Sequence, residues 1–208
     1  MPTRVFVDSD VLFKAPIRNI LFELAFRHLV ELRWSREVER EVIRNLDIAN
    51  PNWAVTFKRT ASYVHAAFPG TMEESGLSGE PISGVHEKDW HVAEAALNSA
   101  SAILVTDNVR HFNREAVQRL GLQVSTADEL FMSLVKDSES EFLIAVAMQI
   151  VDYSNPPMPL QVFTNAVRKC NCPQTAEFIE SSSNRIIRVI FDTFHQEGQD
   201  SGEFDAAL

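Results

Sequence analysis

The stretch Val5-Phe6-Val7-Asp8-Ser9-Asp10-Val11-Leu12 decides the fold class. Its apolar run is rich in β-branched residues and ends abruptly at two acids, which is typical of a buried parallel strand. Ligands of open α/β sheets bind beyond the carboxyl ends of the strands, so Asp8 would stand at a binding edge. The alternative is that Asp8 only caps the next helix, because Asp and Ser are common N-cap residues.

The rest of the chain alternates short apolar runs with segments of helical period. Further strands are predicted over 32–34, 102–105 and 122–124, with helices between them and another helix over 127–135. Such alternation predicts an α/β fold in which a central parallel sheet lies between helix layers, a three-layer sandwich. A polar joint over 137–141 is followed by segments of helical pattern. We therefore expect an α/β domain over residues 1–136 and an all-helical C-terminal extension over 137–208.

Composition limits the cellular setting and the partners. The chain has 208 residues, two cysteines and a net charge of −10. No apolar run is long enough to cross a bilayer, and Asp8 and Asp10 interrupt any signal-peptide core, so we expect a cytoplasmic protein without membrane contact. The acidic charge argues against a general nucleic-acid coat protein. It leaves open an enzyme with a local basic rim, a carboxylate site for a divalent cation, or a basic partner.

Three acids occupy positions that suggest chemistry. Asp8 and Asp107 each follow an apolar strand, and Asp89 opens a helix on the same face as its apolar stripe. A buried carboxylate needs a partner, so this placement of Asp89 is unusual. The alternative is an ordinary first-turn aspartate that interacts with the helix dipole.

A glutamate of the preceding helix is the fourth acid to consider. Glu37, Glu39 and Glu41 are crowded on one helix, where Glu39 and Glu41 flank opposite sides of the Val38/Val42 stripe. Periodicity cannot choose between them, and at least two of the three are expected on a solvated face.

Taken together, these segments resemble the motifs of PIN-domain nucleases. Order and spacing match over residues 3–135, in the segments VFVDSDVL (5–12), WS (34–35), EVIRNL (41–46), DWHVAEAA (89–96), LVTDN (104–108) and HF (111–112). The resemblance carries the family's acids over to Asp8, Glu41 and Asp89. The fourth position is either Asp107 or Asn108, because many relatives have their acid two residues after the threonine.

The resemblance implies a Mg²⁺- or Mn²⁺-dependent ribonuclease, a hydrolase of RNA phosphodiester bonds. Its catalytic residues would be Asp8, Glu41, Asp89 and Asp107, with Asp8, Asp89 and Asp107 on the metal and Thr106 and Asn108 in support. Hard oxygen ligands in one cleft favour these ions. Lys88 and Arg110 are the expected RNA contacts. The family includes VapC-type toxins of type II toxin–antitoxin pairs, and one subgroup of these toxins has a helical C-terminal extension. The resemblance therefore implies a protein antitoxin as a partner, and a homodimer is the further assembly to consider.

Two other functions stay open. One is a PIN-fold module that binds RNA or protein without cutting it. The other is a haloacid-dehalogenase-type phosphatase, in which Asp8 would be the nucleophile and Asp10 the acid/base. Phosphatases of that family also have a lysine and a later pair of acids, and this chain does not have these residues at the corresponding positions.

Overall fold

The computed structural model describes residues 2–73, 78–152 and 158–203. The chain divides into two compact units, Met1–Leu130 and Phe131–Leu208. The boundary predicted after Lys136 lies a few residues further along, inside a helix that begins in the first unit and continues into the second.

Parallel strands form the sheet of the first unit. Four of them make up its main part, and a two-residue strand extends the edge beside β2 in the order β3-β2-β1-β4-β5. The strands are β1 Thr3–Val7, β2 Val30–Ser35, β3 Met72–Glu73, β4 Ile103–Val105 and β5 Gln123–Ser125. Val5 pairs with Leu32 on one side and with Ile103 on the other. The predicted α/β class with a parallel sheet is confirmed, and the connecting helices are compatible with three layers.

The strand order places a topological switch point between β1 and β4. From β1 the chain goes on to β2 on one side, and it later returns to β4 on the other side. Connections leave in opposite directions at such a point, which opens a crevice at the carboxyl ends of the two strands. Asp8 follows β1 directly, and Thr106 follows β4 directly.

The helices of the first unit mostly follow the predicted segments. They are α1 Ser9–Leu12, α2 Ala15–Phe26, α3 Arg36–Ala49, α4 Pro51–Ala67, α5 Trp90–Asn98 and α6 Arg114–Gln118. Two single-turn 3₁₀ helices, Glu87–Asp89 and Val109–His111, lie at the amino end of α5 and after β4. The four-residue α1 and these single turns were not predicted, because they are too short to show a hydrophobic period.

Burial explains why β1 and α3 form where they do. Val5, Phe6 and Val7 are all inaccessible to solvent, so β1 is buried on both faces as its sequence predicts. Each such side chain contributes about 1.5–3 kcal/mol through burial. Ser35 begins α3, since its hydroxyl accepts a hydrogen bond from the backbone N–H of Val38 at 3.2 Å. The α3 stripe facing the core is Val38, Val42 and Leu46.

The second unit is helical throughout its described part. Its elements are the remainder of α7 (Ala127–Asp152), α8 Leu160–Lys169, α9 Pro173–Ser181 and α10 Ser183–Glu203. The separate helices predicted on the two sides of the polar joint are present, because α7 is interrupted within that joint at Ser138, whose φ of −151° and ψ of 52° are not helical. Phe142 packs between Phe131 and Phe178, with ring centroids 5.6 and 6.0 Å apart. Across the described residues, no helix combines the length and apolar character that crossing a bilayer requires.

Candidate active site at the switch point

Asp8 both caps a helix and stands at the edge of the sheet. Its Oδ1 accepts a hydrogen bond from the Ser9 backbone N–H at 2.6 Å, as an N-cap does. Its Oδ2 accepts one from the Thr106 hydroxyl at 2.7 Å, which joins the ends of β1 and β4. Asp8 is 3% exposed and Thr106 is fully buried. Asp8 therefore caps α1 and also stands at the carboxyl edge of the sheet, and these hydrogen bonds fix the orientation of its carboxylate.

The charge of Asp8 is opposed by its surroundings. Burial raises the pKa of the Asp8 carboxyl, the hydrogen bonds from Thr106 and Ser9 partly offset this, and the nearby charges of Asp89 and Glu41 raise it further. Three of the acids selected from the sequence thus lie within electrostatic reach of one another. A positive charge placed among them would stabilise their ionised forms.

Asp10 is a fifth acid of the site, which the nuclease interpretation did not include. Burial, followed by the charge of Asp8, raises the pKa of Asp10 to about 7. Its Oδ2 accepts a hydrogen bond from the Asp107 backbone N–H at 3.1 Å and lies 3.4 Å from the Thr106 hydroxyl. Its Oδ1 is inaccessible and has no hydrogen-bond partner among the described residues. The sequence signal was the Asp8-Ser9-Asp10 spacing, which only the phosphatase alternative used.

Glu41 is the glutamate of α3 that faces the site. Its Oε1 lies 3.4 Å from His91 Nε2, an ion-pair separation rather than a well-formed hydrogen bond. His91 lowers the pKa of Glu41, and Glu41 in turn raises the pKa of His91. This pairing keeps Glu41 ionised near neutral pH.

Glu39 is committed elsewhere, which resolves the ambiguity left by helical periodicity. Its carboxylate accepts a hydrogen bond from the indole N–H of buried Trp34 at 2.9 Å and pairs with His65 at 2.9 Å. Glu37 is exposed. The choice of Glu41 depended on the family resemblance, and its surroundings agree with that choice.

Asp89 ends the first 3₁₀ helix and is 8% exposed. Its Oδ2 lies 2.8 Å from His111 Nδ1. His86, Asp89 and His111 each offer a ligand atom, and these atoms lie within 4.8 Å of one another. Among the described residues, no other group of three or more His, Cys, Asp or Glu side chains meets this distance. Asp8, Asp89 and Asp107 therefore do not form such a group. The sequence did not identify either histidine as a candidate metal ligand.

Asp107 and Asn108 differ in what they contact. The Asp107 carboxylate forms an ion pair with the Lys14 ammonium, and both side chains are about one-fifth exposed. The backbone N–H of Asn108 donates to the Thr106 hydroxyl at 3.1 Å. Asp107 therefore lies beside the site with its charge balanced by Lys14, and the predicted metal-ligand role of Asp107 stays a prediction.

The two predicted RNA contacts lie on the same two turns as Asp89 and His111. Lys88 belongs to the first 3₁₀ helix and Arg110 to the second, and both side chains are exposed. Exposed cations on these turns are free to approach a polyanion that enters from the carboxyl edge of the sheet.

Fold and site together define an α/β protein with an acidic cluster at the switch point of a parallel sheet. Comparison with protein-family models finds no match for the chain, and comparisons with curated proteins and with solved structures find none either. Its function is therefore inferred from the chemistry of these residues.

Proposed function

We propose that the chain is a divalent-metal-dependent endoribonuclease of the PIN type. The observation that carries the proposal is the buried carboxylate of Asp8, whose pKa is raised by burial and by the charges of Asp89 and Glu41 at the carboxyl edge of the sheet. A carboxyl with a perturbed pKa at the switch point of a parallel sheet is a candidate functional group, because ligands of such sheets bind in that crevice.

The donor set fits a hard divalent cation. Asp8, Glu41 and Asp89 would hold the ion, and Asp10 Oδ1 adds a buried oxygen that has no partner among the described residues. The carboxylates of Asp8, Glu41 and Asp89 do not all lie within 4.8 Å of one another. Direct ligation by all three is not required, because Mg²⁺ usually keeps several water ligands and is bound through one or two carboxylates. When bound, such an ion lowers the pKa of a water and offsets negative charge on the phosphate.

The chain's own residues supply orientation and phosphate contacts. The Ser9 N–H and the Thr106 hydroxyl hold both oxygens of Asp8 in place. Glu41, kept ionised by His91, can accept a hydrogen bond from a water and orient it toward the phosphate. Burial and the charge of Asp8 raise the pKa of Asp10 to about 7 while no cation is bound, and a cation bound among these acids would lower it. Lys88 and Arg110 would contact phosphates of the RNA.

Asp107 has a revised part in this proposal. Its ion pair holds the Lys14 ammonium close to the end of β4. We assign Asp107 a positioning role, in which it orients Lys14 toward the RNA backbone, while Asp10 is the acid adjacent to Asp8. Asn108 supports the same turn through its hydrogen bond to Thr106.

The proposal extends to a toxin that is controlled by a protein antitoxin, as the family resemblance implies. Its support is the net charge of −10, which favours a basic partner, and three apolar side chains of the second unit that are more than half exposed: Val162, Ile187 and Phe191. Homodimerisation is the other proposed use of such surface. Induced expression of the wild-type chain should arrest growth, whereas expression of Asp8→Asn should not.

Cleavage of structured RNA by the purified chain tests the proposal. Wild-type protein should cut in Mg²⁺ or Mn²⁺, lose the activity in EDTA and recover it when the ion is restored. Asp8→Asn should abolish cleavage while leaving the circular dichroism spectrum unchanged, because it removes charge with little change in volume. Asp47→Asn, an exposed acid of α3, is the matched control and should cut normally. Full activity of Asp8→Asn would refute the mechanism.

A phosphatase remains the second candidate because Asp10, with a pKa of about 7, lies beside Asp8. In that reaction Asp8 would attack phosphorus and Asp10 would protonate the leaving oxygen. Release of phosphate from p-nitrophenyl phosphate, abolished by Asp8→Asn and Asp10→Asn, would favour it over RNA cleavage. RNA binding without any cleavage would favour the non-cutting module.

A further inference from the structure

His86, Asp89 and His111 form a second group of ligand atoms beside the hard-cation site. One atom from each side chain lies within 4.8 Å of the others. The two imidazole rings stack with centroids 5.0 Å apart, and His111 Nδ1 lies 2.8 Å from Asp89 Oδ2. Asp89 is buried, His111 is partly buried and His86 is exposed, so the group is open to an ion from solvent.

The backbone holds these three residues together. A 3₁₀ helix has three residues per turn, so His86 at the cap and Asp89 at the end of the turn lie on the same side. The second histidine ends the other 3₁₀ helix, and the His86 backbone N–H donates to the His111 carbonyl at 2.8 Å. An antiparallel bridge between Val85 and Phe112 joins the same two segments. The arrangement is therefore built by main-chain contacts rather than by chance approach of long side chains.

A glycine makes this close approach feasible. Gly84 has a positive φ of 81°, and a Cβ on it would lie 2.6 Å from the Ala116 Cβ. Its carbonyl accepts a hydrogen bond from the Asn113 backbone N–H at 2.6 Å. A larger residue would push the His86 segment away from α6, so the chain is tightly constrained just before the first ligand.

The donor chemistry differs from that of the neighbouring acids. Two imidazole nitrogens and one carboxylate oxygen suit Zn²⁺ and similar transition ions, and three protein ligands leave a position for water. The backbone N–H of Lys88 donates to His86 Nδ1 at 3.3 Å, which leaves Nε2 as the unengaged nitrogen of that ring. An ion bound to His111 Nδ1 would replace the present contact between this nitrogen and Asp89 Oδ2, which are 2.8 Å apart.

We propose that His86, Asp89 and His111 bind a divalent transition ion of the zinc class, and that this ion competes with the hard cation for Asp89. The competition between the two ions rests on the proposed function, in which Asp89 helps to hold Mg²⁺ or Mn²⁺. Occupancy of the histidine site withdraws the Asp89 carboxylate from the hard-cation site. Zinc is therefore an inhibitor of the Mg²⁺-dependent reaction.

Cobalt(II) is the probe for the site itself, because its visible absorption reports nitrogen ligation at low coordination number. The full-length chain, freed of metal by chelation, should bind one Co²⁺ that Zn²⁺ displaces. His86→Asn keeps an acceptor at the helix cap and removes the imidazole, and His111→Gln removes the second ring. Each should weaken binding by at least about tenfold. His28→Asn, an exposed histidine with φ of 57° that Asn tolerates, is the matched control and should bind as wild type.

Zn²⁺ added to the Mg²⁺-supported cleavage reaction tests the competition. The wild-type chain and His28→Asn should be inhibited, whereas His86→Asn should cut RNA and resist zinc. Unchanged cobalt affinity in both His86→Asn and His111→Gln, or no spectral change in the wild type, overturns the site. Equal zinc inhibition of His86→Asn and wild type overturns the competition. Cobalt binding without any RNA cleavage leaves the site standing and rejects only the proposed nuclease.

Discussion

Replacing Asp10 by Asn should stabilise the protein at alkaline pH. Asp10 is partly buried beside Asp8, and its inaccessible Oδ1 has no hydrogen-bond partner among the described residues. Asn has nearly the same shape, can still accept from the Asp107 backbone N–H, and cannot ionise. The substitution therefore removes a buried charge while preserving the contact that joins α1 to the turn after β4.

The pKa of Asp10 sets the size and the pH range of the effect. A rise from the ordinary value of 3.8 to about 7 corresponds to about 4 kcal/mol, because each pKa unit is worth about 1.4 kcal/mol. Between these two values the unfolded chain has lost the proton and the folded chain keeps it, so stability falls as pH rises through this window. Above the folded-state pKa the full penalty applies. We expect a net gain of about 1–2 kcal/mol in Asp10→Asn near pH 8, because the buried amide N–H₂ also needs a partner.

Urea unfolding in EDTA near pH 5 and near pH 8 measures this effect. Wild type should lose more unfolding free energy between the two pH values than Asp10→Asn loses, at equal m-values. Contributions from other titrating groups largely cancel in this difference. Asp47→Asn should follow the wild type, since that side chain is exposed. Parallel pH dependence in wild type and Asp10→Asn, or a variant less stable than wild type near pH 8, would refute the raised pKa.

Three further perturbations test the helix cap, the ion pair and the bridging hydroxyl. Ser35→Ala should lower the unfolding free energy by about 1 kcal/mol, as loss of an N-cap does. Thr56→Ala, at an exposed position of α4, should change it by about half of that or less in the same urea assay. Asp107→Asn should reduce RNA cleavage more than Asn108→Ala. A double-mutant cycle of Asp107→Asn with Lys14→Met should show a coupling energy of at least about 0.5 kcal/mol. Additive effects of these two substitutions would mean that Asp107 and Lys14 do not act as a unit. Thr106→Val should reduce cleavage at least about tenfold and destabilise the fold by about 1–3 kcal/mol, while Thr106→Ser keeps the bridge; equal effects of the two substitutions would reject the role of the hydroxyl.

The parts of the fold that follow from periodicity could be predicted. The buried run of β1 and the Val38/Val42 stripe of α3 carry their structure in local sequence, and serine is a common residue at the N-cap position that Ser35 occupies. The four-residue α1 could not be predicted in this way, because one turn contains no repeat. The break at Ser138 falls within the predicted polar joint, so the separation of the helices on its two sides was predictable as well.

The site shows the same division between local and non-local information. Asp8 at the end of a strand was predictable, and the switch point explains why it meets Thr106. The commitment of Glu39 to Trp34 and His65 depends on where α4 packs, so no helical wheel could exclude it. Asp10 likewise enters the site because α1 directs it toward the turn after β4.

The placement of Asp89 links the chemistry of the two ligand groups. Its carboxylate lies within electrostatic reach of Asp8 on one side and contacts His111 on the other. Buried acids that repel one another lower stability unless a cation joins them, and the proposed function supplies such a cation. Hard oxygen donors and imidazoles select different ions, and one shared carboxylate cannot serve both fully. The ratio of the two classes of metal would then determine whether Asp89 supports cleavage or is withdrawn from it, without any change in the fold.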